Sequence, residues 1–164
     1  EAFGLDSERL LFLEYGAILH DIGKILVPGR ILNKNGSLTE DEFDIIKKHP
    51  EIGVSILANV DYFSPIIPMI RHHHEWYNGG GYPDRLSGDA IPLEARIMAV
   101  ADTYDAMTSD RPYRKAMSRD RALEIIREVA GAQLDPEVVK VFIKEKIYTI
   151  HHVSSEKLML KFNA

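Results

Sequence analysis

The sequence predicts an all-α fold. Apolar residues recur at the three- and four-residue spacing of amphipathic helices, helix caps and prolines mark the boundaries, and strand-like alternation is nearly absent. At 164 residues and 45% hydrophobic, the chain is long enough for one core of ordinary size. Partial alternation over 147–153 and 157–162 allows a small β element in the C-terminal tail. We therefore expect a helical bundle.

Helix boundaries in the first half of the chain follow from local signals. The first helix begins at Asp6 or Ser7 and ends near Gly23, with a turn at 33–36 after it. Thr39 and Glu42 fit a capping box that opens a helix reaching His49. Proline favours the first turn of a helix, so Pro50 opens the next one and Pro65 or Pro68 a further one, which runs to the histidine triplet at 72–74.

The second half begins with an irregular stretch from Tyr77 to Pro92 that is rich in glycine and proline. Loops of this length in a compact domain are usually functional. Pro92 opens the next helix, Ser118 caps another that ends near Gly131, and Asp135-Pro136 starts the last strong one.

Charge and composition exclude several classes of protein. The net charge of −5, from 20 Lys and Arg against 25 Asp and Glu, argues against electrostatic binding of a nucleic-acid polymer, although it permits a small phosphate ligand. The absence of cysteine excludes disulfides and thiolate metal sites. No apolar run approaches ~18 residues and no signal peptide opens the chain, so we expect a cytoplasmic protein without a membrane segment. Because the chain starts at Glu1 rather than Met, we expect a fragment of a longer polypeptide with its N-terminal helices truncated.

Candidate metal ligands occur at four separated places in the chain. They are His20-Asp21, His49, His73-His74 and Asp102. Each alone has an ordinary alternative, such as a helix cap for His20-Asp21 or a core histidine for His49. A carboxylate flanked by alanine and valine, as Asp102 is, costs free energy unless it is paired. Together they favour a binuclear hydrolytic centre, in which two metals lie ~3.5–4 Å apart.

The same residues carry a resemblance to a known family. The run His20-Asp21-Ile22-Gly23-Lys24 resembles the signature of HD-domain phosphohydrolases. The run from His73 to Pro83, with Gly81-Tyr82-Pro83 at its end, is similar to the second signature of the HD-GYP subfamily. The match covers roughly residues 5 to 145 and continues through Leu38-Thr39, His49, Gly53, Ile91-Pro92, Ala95-Arg96, Ala101-Asp102, Asp105-Ala106, Ser109–Arg114 and Asp135-Pro136.

The resemblance implies an all-helical HD fold and a role in bacterial signalling. The implied activity is a metal-dependent phosphodiesterase that hydrolyses cyclic di-GMP to pGpG, and in some members to GMP. The implied cofactors are two, sometimes three, iron or manganese ions. Matching positions make the metal ligands His20, Asp21, His49, His73, His74 and Asp102, with Asp21 and Asp102 as bridging carboxylates.

Further roles follow from the same resemblance. Lys24 would reach a phosphate oxygen or the attacking hydroxide, and Tyr82 would flank the nucleotide. Arg111 and Arg114 resemble a phosphate-binding pair; the alternative for both is a solvated loop. Glu75 and Asp105 would orient ligand histidines rather than bind metal.

Some histidines and one tryptophan fall outside this assignment. At helical spacing His72 points about 100° away from His73, so we do not expect it to be a ligand. His151 and His152 lie beyond the resemblance. Trp76 stands where the family commonly has a basic residue, which bears on substrate or partner contacts. A further histidine that relatives carry on an earlier helix would fall before Glu1.

The hypothesis is therefore hydrolysis of cyclic di-GMP by a hydroxide that bridges two cations. A catalytic domain spans residues 1–146 and a tail spans 147–164. Two alternatives stay open: a catalytically weak cyclic-dinucleotide receptor or interaction module, and an HD hydrolase of another nucleotide. The expected partners are the dinucleotide, an upstream sensory or receiver domain, and a second copy of the chain in a homodimer.

Overall fold

The computed structural model describes residues 3–110 and 115–149 and has the helical architecture that the sequence predicts. No sheet forms in these ranges, where β-pairing is limited to isolated bridges at Asn78–Ser87 and Ala130–Leu134. Short 3-10 segments lie at Ile22–Leu26, Asp61–Ile66, Gly88–Ala90 and Ile147–Thr149. The α-helices are α1 (Ser7–Leu19), α2 (Gly29–Leu32), α3 (Glu40–Ile46), α4 (His49–Leu57), α5 (Ile67–His72), α6 (Leu93–Thr108), α7 (Arg119–Glu128) and α8 (Pro136–Lys144).

Side-chain caps begin the helices where the sequence predicts them. The Arg9 amide donates to Asp6 Oδ1 at 2.8 Å at the start of α1. At α3 the capping box is complete, because Thr39 Oγ1 accepts from the Glu42 amide and Glu42 Oε2 accepts from the Thr39 amide. Each cap satisfies amides that have no partner inside the helix. The predicted starts are therefore confirmed at both helices, whereas α3 ends at Ile46 instead of reaching His49.

Two apolar clusters flank the C-terminal end of α5. The larger cluster joins α6, α7 and α8, with Val100, Ile126 and Phe142 among its buried members. The smaller cluster centres on Leu57, Ile66 and Ile70, with α1 side chains packed against it. Since α5 contacts both α4 and α6, its end stands where residues from the two clusters meet. The histidines that follow Ile70 are thereby held in the interior.

Gly23 allows the chain after α1 to lie directly against α4. A Cβ atom on Gly23 would stand 1.9 Å from the carbonyl oxygen of His49 and 2.7 Å from the Gly53 amide nitrogen. No side chain fits there without moving backbone. Gly23 lies inside the 3-10 segment that follows α1, and this close approach brings His20 and Asp21 to His49.

The expected β element in the tail is wrong where the structure describes that stretch. Residues Ile147–Thr149 form a 3-10 turn packed on α8 rather than the start of a strand. The remainder of both alternating stretches lies outside the described residues. Within the described ranges, no helix combines the length and the apolar character that a bilayer crossing requires.

Candidate metal centre

Asp21 stands at the centre of a group of nitrogen donors. Its Oδ1 lies 3.2 Å from His49 Nε2 and its Oδ2 lies 3.3 Å from His20 Nε2. Lys24 Nζ donates to Oδ2 at 2.6 Å. The end of α1 positions His20 and Asp21, and the first turn of α4 positions His49. Both carboxylate oxygens thus face nitrogen atoms from different parts of the chain.

Backbone carbonyl groups set the tautomer of three of the histidines. In each of them Nδ1 lies 2.8 Å from the carbonyl oxygen of the residue three positions earlier. A carbonyl oxygen accepts a hydrogen bond and cannot donate one, so Nδ1 carries the proton and the neutral ring has a bare lone pair on Nε2. The pairs are His20 with Ala17, His49 with Ile46, and His73 with Ile70.

The unprotonated Nε2 atoms of these histidines lie close together, with no hydrogen bond between them. His49 Nε2 and His73 Nε2 are 3.3 Å apart, although neither carries a hydrogen in the tautomer that the backbone imposes. Within the described part of the chain, Asp21 Oδ1 is buried with no hydrogen-bond partner. Facing lone pairs and a bare carboxylate oxygen repel one another unless a cation lies among them. The donor set therefore fits a divalent metal.

Electrostatics keep these donors ready to bind a cation. Burial, aided by neighbouring histidines, lowers the pKa of His73 to about 3 and that of His74 to about 2, so both imidazoles are neutral near pH 7. Burial alone would raise the pKa of Asp21, but its close contacts with His20, His49 and the Lys24 ammonium hold that pKa well below its usual range. Burial alone would lower the pKa of His20, yet its contact with Asp21 raises it.

Four of the six predicted ligands lie close together, and the other two lie at the edge of that group. Asp21, His49, His73 and His74 offer donor atoms that all lie within 4.8 Å of one another. His20 and Asp102 stand at the edge of this group, with His20 Nε2 4.0 Å from Asp102 Oδ1. Asp102 projects from α6 and lines a small cavity with His73 and His74.

Tyr82 closes one side of the donor group. Its ring stacks on His74 with centroids 4.9 Å apart, and its amide donates to the His74 carbonyl at 3.2 Å. Gly81 makes this contact possible, because a Cβ there would stand 2.2 Å from the Trp76 amide nitrogen. Burial, with the charges of Asp21 and Asp102, raises the pKa of Tyr82, so its hydroxyl stays protonated beside the carboxylates.

Beside this first group of donors, a second group consists of His72, Glu75 and Asp84, the last of which lies in the glycine-rich loop at 77–92. His72 Nδ1 stands 3.5 Å from Asp84 Oδ2 and 3.8 Å from Glu75 Oε1. Arg71 binds Asp84 bidentately, with Nε at 2.7 Å and Nη2 at 2.8 Å. Glu75 is buried and its Oε1 accepts from the Asp84 amide at 2.7 Å. Glu75 therefore contacts the loop and His72, rather than a histidine of the first group.

The remaining sequence predictions have varied positions. Lys24 lies on Asp21, within reach of the donor group. Asp105 accepts a hydrogen bond from Ser109 Oγ at 3.0 Å. Trp76 is 41% exposed and lies over Gly80 in the loop. Arg111, Arg114, His151 and His152 lie outside the described residues.

Sequence reasoning missed Phe43 and Arg96. Phe43 reads as an ordinary apolar helix residue, yet its ring lies 6.5 Å from that of Tyr82. Arg96 Nη1 donates to Asp89 and to buried Asp135, which joins the end of the glycine-rich loop to the start of α8. The Asp135-Pro136 helix start was a signal for the second of these; for the first there was none in the spacing.

Comparison with known proteins agrees with this geometry. A family model described as "HD domain" matches residues 1–138. The chain is 45% identical over 146 residues to the cyclic di-GMP phosphodiesterase response regulator RpfG of Xanthomonas campestris, covering 88% of this chain and 39% of that protein. It is 41% identical over 132 residues to the 3'3'-cGAMP-specific phosphodiesterase 3 of Vibrio cholerae, covering 80% of this chain and 28% of that protein.

A solved structure shares the fold. An HD-GYP protein of Bdellovibrio bacteriovorus aligns with a TM-score of 0.67 at 21% identity, covering 83% of this chain and 43% of that one. The chain thus spans less than half the length of the relatives it matches. By its family match and its His-Asp and Gly-Tyr-Pro motifs, the chain belongs to the HD domain family, in its HD-GYP subfamily.

Proposed function

We propose that this chain hydrolyses a phosphodiester bond of a cyclic dinucleotide, converting cyclic di-GMP to pGpG and then to GMP. One observation carries the proposal: bare Nε2 atoms and the unpaired Asp21 Oδ1 converge beside the Tyr82 ring. The cyclic di-GMP phosphodiesterase activity for which RpfG is named supports cyclic di-GMP as the substrate. Residues 1–146 would form the catalytic domain and 147–164 a tail.

The proposed ligands are those that the resemblance predicts. His20, Asp21, His49, His73, His74 and Asp102 would together hold two divalent ions, or three as in some members of the family, and iron or manganese suits nitrogen and oxygen donors. When bound, the ions would supply positive charge to the phosphate oxygens and an activated water at neutral pH.

The side chains of the protein prepare the site for that chemistry. The backbone carbonyls at positions 17, 46 and 70 hold three imidazoles in the tautomer that presents Nε2 to the cavity. The Lys24 ammonium offsets the charge of Asp21 and has further protons to donate to a phosphate oxygen. Tyr82 keeps its hydroxyl proton and can donate it to the ligand. Arg111 and Arg114 are proposed to bind phosphate.

The same domain is proposed to work within a larger cytoplasmic protein. The relatives are more than twice as long as the matched stretch, which supports an upstream sensory or receiver domain. A homodimer that uses the tail after Lys146 is a further proposal.

A second candidate is hydrolysis of 3'3'-cGAMP. The relative from Vibrio cholerae that carries this activity in its name is 41% identical, close to the 45% of RpfG. The two substrates differ in one base, which is guanine in cyclic di-GMP and adenine in 3'3'-cGAMP.

The test is a turnover assay on anaerobically purified protein loaded with Mn²⁺ or Fe²⁺. We expect hydrolysis of a cyclic dinucleotide, and we expect Asp21→Ala to abolish it. A panel of cyclic di-GMP, 3'3'-cGAMP and a mononucleotide identifies the substrate. Binding of the dinucleotide without hydrolysis would favour a receptor, and a fully active Asp21→Ala protein would overturn the proposal.

A further inference from the structure

Phe43 is a large apolar side chain left exposed at the mouth of the site. The residue is 45% exposed, while Ile45 and Ile46 of the same helix are half-buried. Its ring meets the Tyr82 ring nearly at right angles, at 82° and 6.5 Å between centroids. The isoleucines of this helix thus face inward, and the Phe43 ring lies in solvent beside the glycine-rich loop at 77–92.

The backbone around Phe43 is linked to the donor group by hydrogen bonds. The complete capping box at Thr39 fixes the start of α3, and Lys34 pairs with Glu42 in its first turn. Three residues after Phe43, the Ile46 carbonyl accepts the proton of His49 Nδ1. The helix that carries the ring therefore also supplies the carbonyl that fixes the tautomer of a candidate metal ligand.

Aromatic rings extend outward from the donors. His74 lies innermost, Tyr82 stacks on it at 4.9 Å, and Phe43 follows at 6.5 Å. The Lys47 ammonium lies 4.9 Å from the centroid of the Phe43 ring and covers one face. Cations over an aromatic face help to hold its orientation. The exposed part of the ring remains available to another flat molecule.

We propose that Phe43 is a stacking platform for one nucleobase of the substrate, an inference that rests on the proposed cyclic-dinucleotide activity. When a phosphodiester lies at the donor group, the attached bases project away from it toward the rim. Stacking on an aromatic side chain is tolerant of base identity, since every base has a π-face. The platform therefore acts on binding and accepts guanine and adenine alike.

The test compares three substitutions at position 43 in the metal-loaded protein. Phe43→Ala should raise KM for cyclic di-GMP and for 3'3'-cGAMP by about 5- to 150-fold, the span expected for one stacked base. The kcat should change by less than about 3-fold, because the donors are untouched. Phe43→Trp should keep the KM of the parent protein. Phe43→Leu keeps the apolar bulk without a π-face and should resemble Phe43→Ala.

A spectroscopic readout separates stacking from a merely structural role. A cyclic dinucleotide that carries 2-aminopurine should lose fluorescence on binding to the parent protein and to Phe43→Trp, but much less with Phe43→Leu. Tyr62→Ala is the matched control, since Tyr62 is 54% exposed and its ring contacts are with α1 and its own segment. This control should leave KM and quenching unchanged.

Several results would overturn the platform. They are an unchanged KM in Phe43→Ala, full quenching by Phe43→Leu, or a loss of bound metal or of a dimer in place of a KM effect. The proposed activity is judged separately, on the parent protein. If that protein binds the dinucleotide without hydrolysing it, the quenching series still decides the role of Phe43, and if it does neither, both ideas fail.

Discussion

The described residues contain two groups of histidines and carboxylates, and they differ in how fully the central carboxylate is paired with a side-chain cation. In the first, Asp21 faces imidazole nitrogens that are bare, and one of its oxygens has no hydrogen-bond partner among the described residues. In the second, Arg71 binds Asp84 through two hydrogen bonds and lies near Glu75. Lys24 binds only Oδ2 of Asp21, so the first group keeps an oxygen for a cation from solution, whereas Arg71 binds both oxygens of Asp84.

The contrast shows that residue types alone do not define a metal centre. Both groups bring histidine and carboxylate donors within 4.8 Å of one another. The second group also contains the unpartnered atoms His72 Nδ1 and Glu75 Oε2. The bidentate guanidinium distinguishes it, because Arg71 donates to both oxygens of Asp84, whereas Lys24 donates to one oxygen of Asp21. We interpret the second group as a structural contact that holds the glycine-rich loop at 77–92 in place.

Substitutions at the adjacent residues His72 and His73 should show the largest difference between the two groups. His73→Gln should lower turnover by more than about 100-fold, since it removes a proposed ligand rather than an outer partner, whose loss typically costs 10- to 100-fold. His72→Gln should keep turnover within about 3-fold. Steady-state hydrolysis with saturating Mn²⁺ measures both variants. Equal losses at the two positions would show that the groups are not functionally distinct.

The close approach at Gly23 should be nearly as sensitive. Gly23→Ala places a methyl group against the His49 carbonyl and should lower the free energy of unfolding by about 1–3 kcal/mol, together with metal affinity. Gly29→Ala is the control, because the nearest atom to its Cβ is 3.8 Å away. Urea denaturation and metal titration of both variants test this. A stable, metal-binding Gly23→Ala protein would refute the packing argument.

Acidification should weaken the metal-free protein through the first group. Burial lowers the pKa of His73 to about 3 from 6.5, so the unfolded chain binds more protons between these values. The stability that neutral His73 allows is therefore complete above about pH 6.5 and is lost as pH falls toward 3, by about 1 kcal/mol per pH unit. Urea denaturation at pH 7 and pH 5 measures the loss.

Variants assign that pH dependence to one group or the other. His73→Gln should flatten the slope more than His72→Gln, because burial lowers the pKa of both imidazoles and His72 is the less buried of the two. If His72→Gln flattened the slope more than His73→Gln, the pH dependence would belong to the second group.

Substitution of Arg71 in the second group should have the smallest effect. Arg71→Met removes the bidentate pair with Asp84 and should lower the free energy of unfolding by about 1 kcal/mol, because both side chains are about one-third exposed. Bound metal should be unchanged. Loss of metal from Arg71→Met would mean that the second group supports the first directly.

Local sequence signals were sufficient for most of the fold. The Thr39–Glu42 capping box and the Ser118 cap act within one helical turn, so their pattern is visible without tertiary structure. The exposure of Phe43 was not visible, because an apolar residue at helical spacing has the same pattern whether it faces the core or the mouth of a site. Gly23 could be read as a helix stop, but its contact with His49 depends on the packing of α4.

The candidate site was predicted in its members and not in its geometry. The resemblance named His20 and Asp102 on equal terms with the other ligands, whereas the structure sets them 4.0 Å apart at the edge of the group. The carbonyl contacts that fix the imidazole tautomers are also absent from the sequence pattern, since they depend on the turn at the end of each helix.

Metal content of two matched variants tests the central claim most directly. Asp21→Asn and Asp84→Asn each remove one carboxylate charge, from the first and second groups respectively, and each side chain is about one-third exposed. Elemental analysis after anaerobic purification should find the divalent metal of the parent protein retained in Asp84→Asn and lost from Asp21→Asn. Equal metal content in the two variants, or loss from Asp84→Asn alone, would contradict the assignment of the metal centre to the Asp21 group.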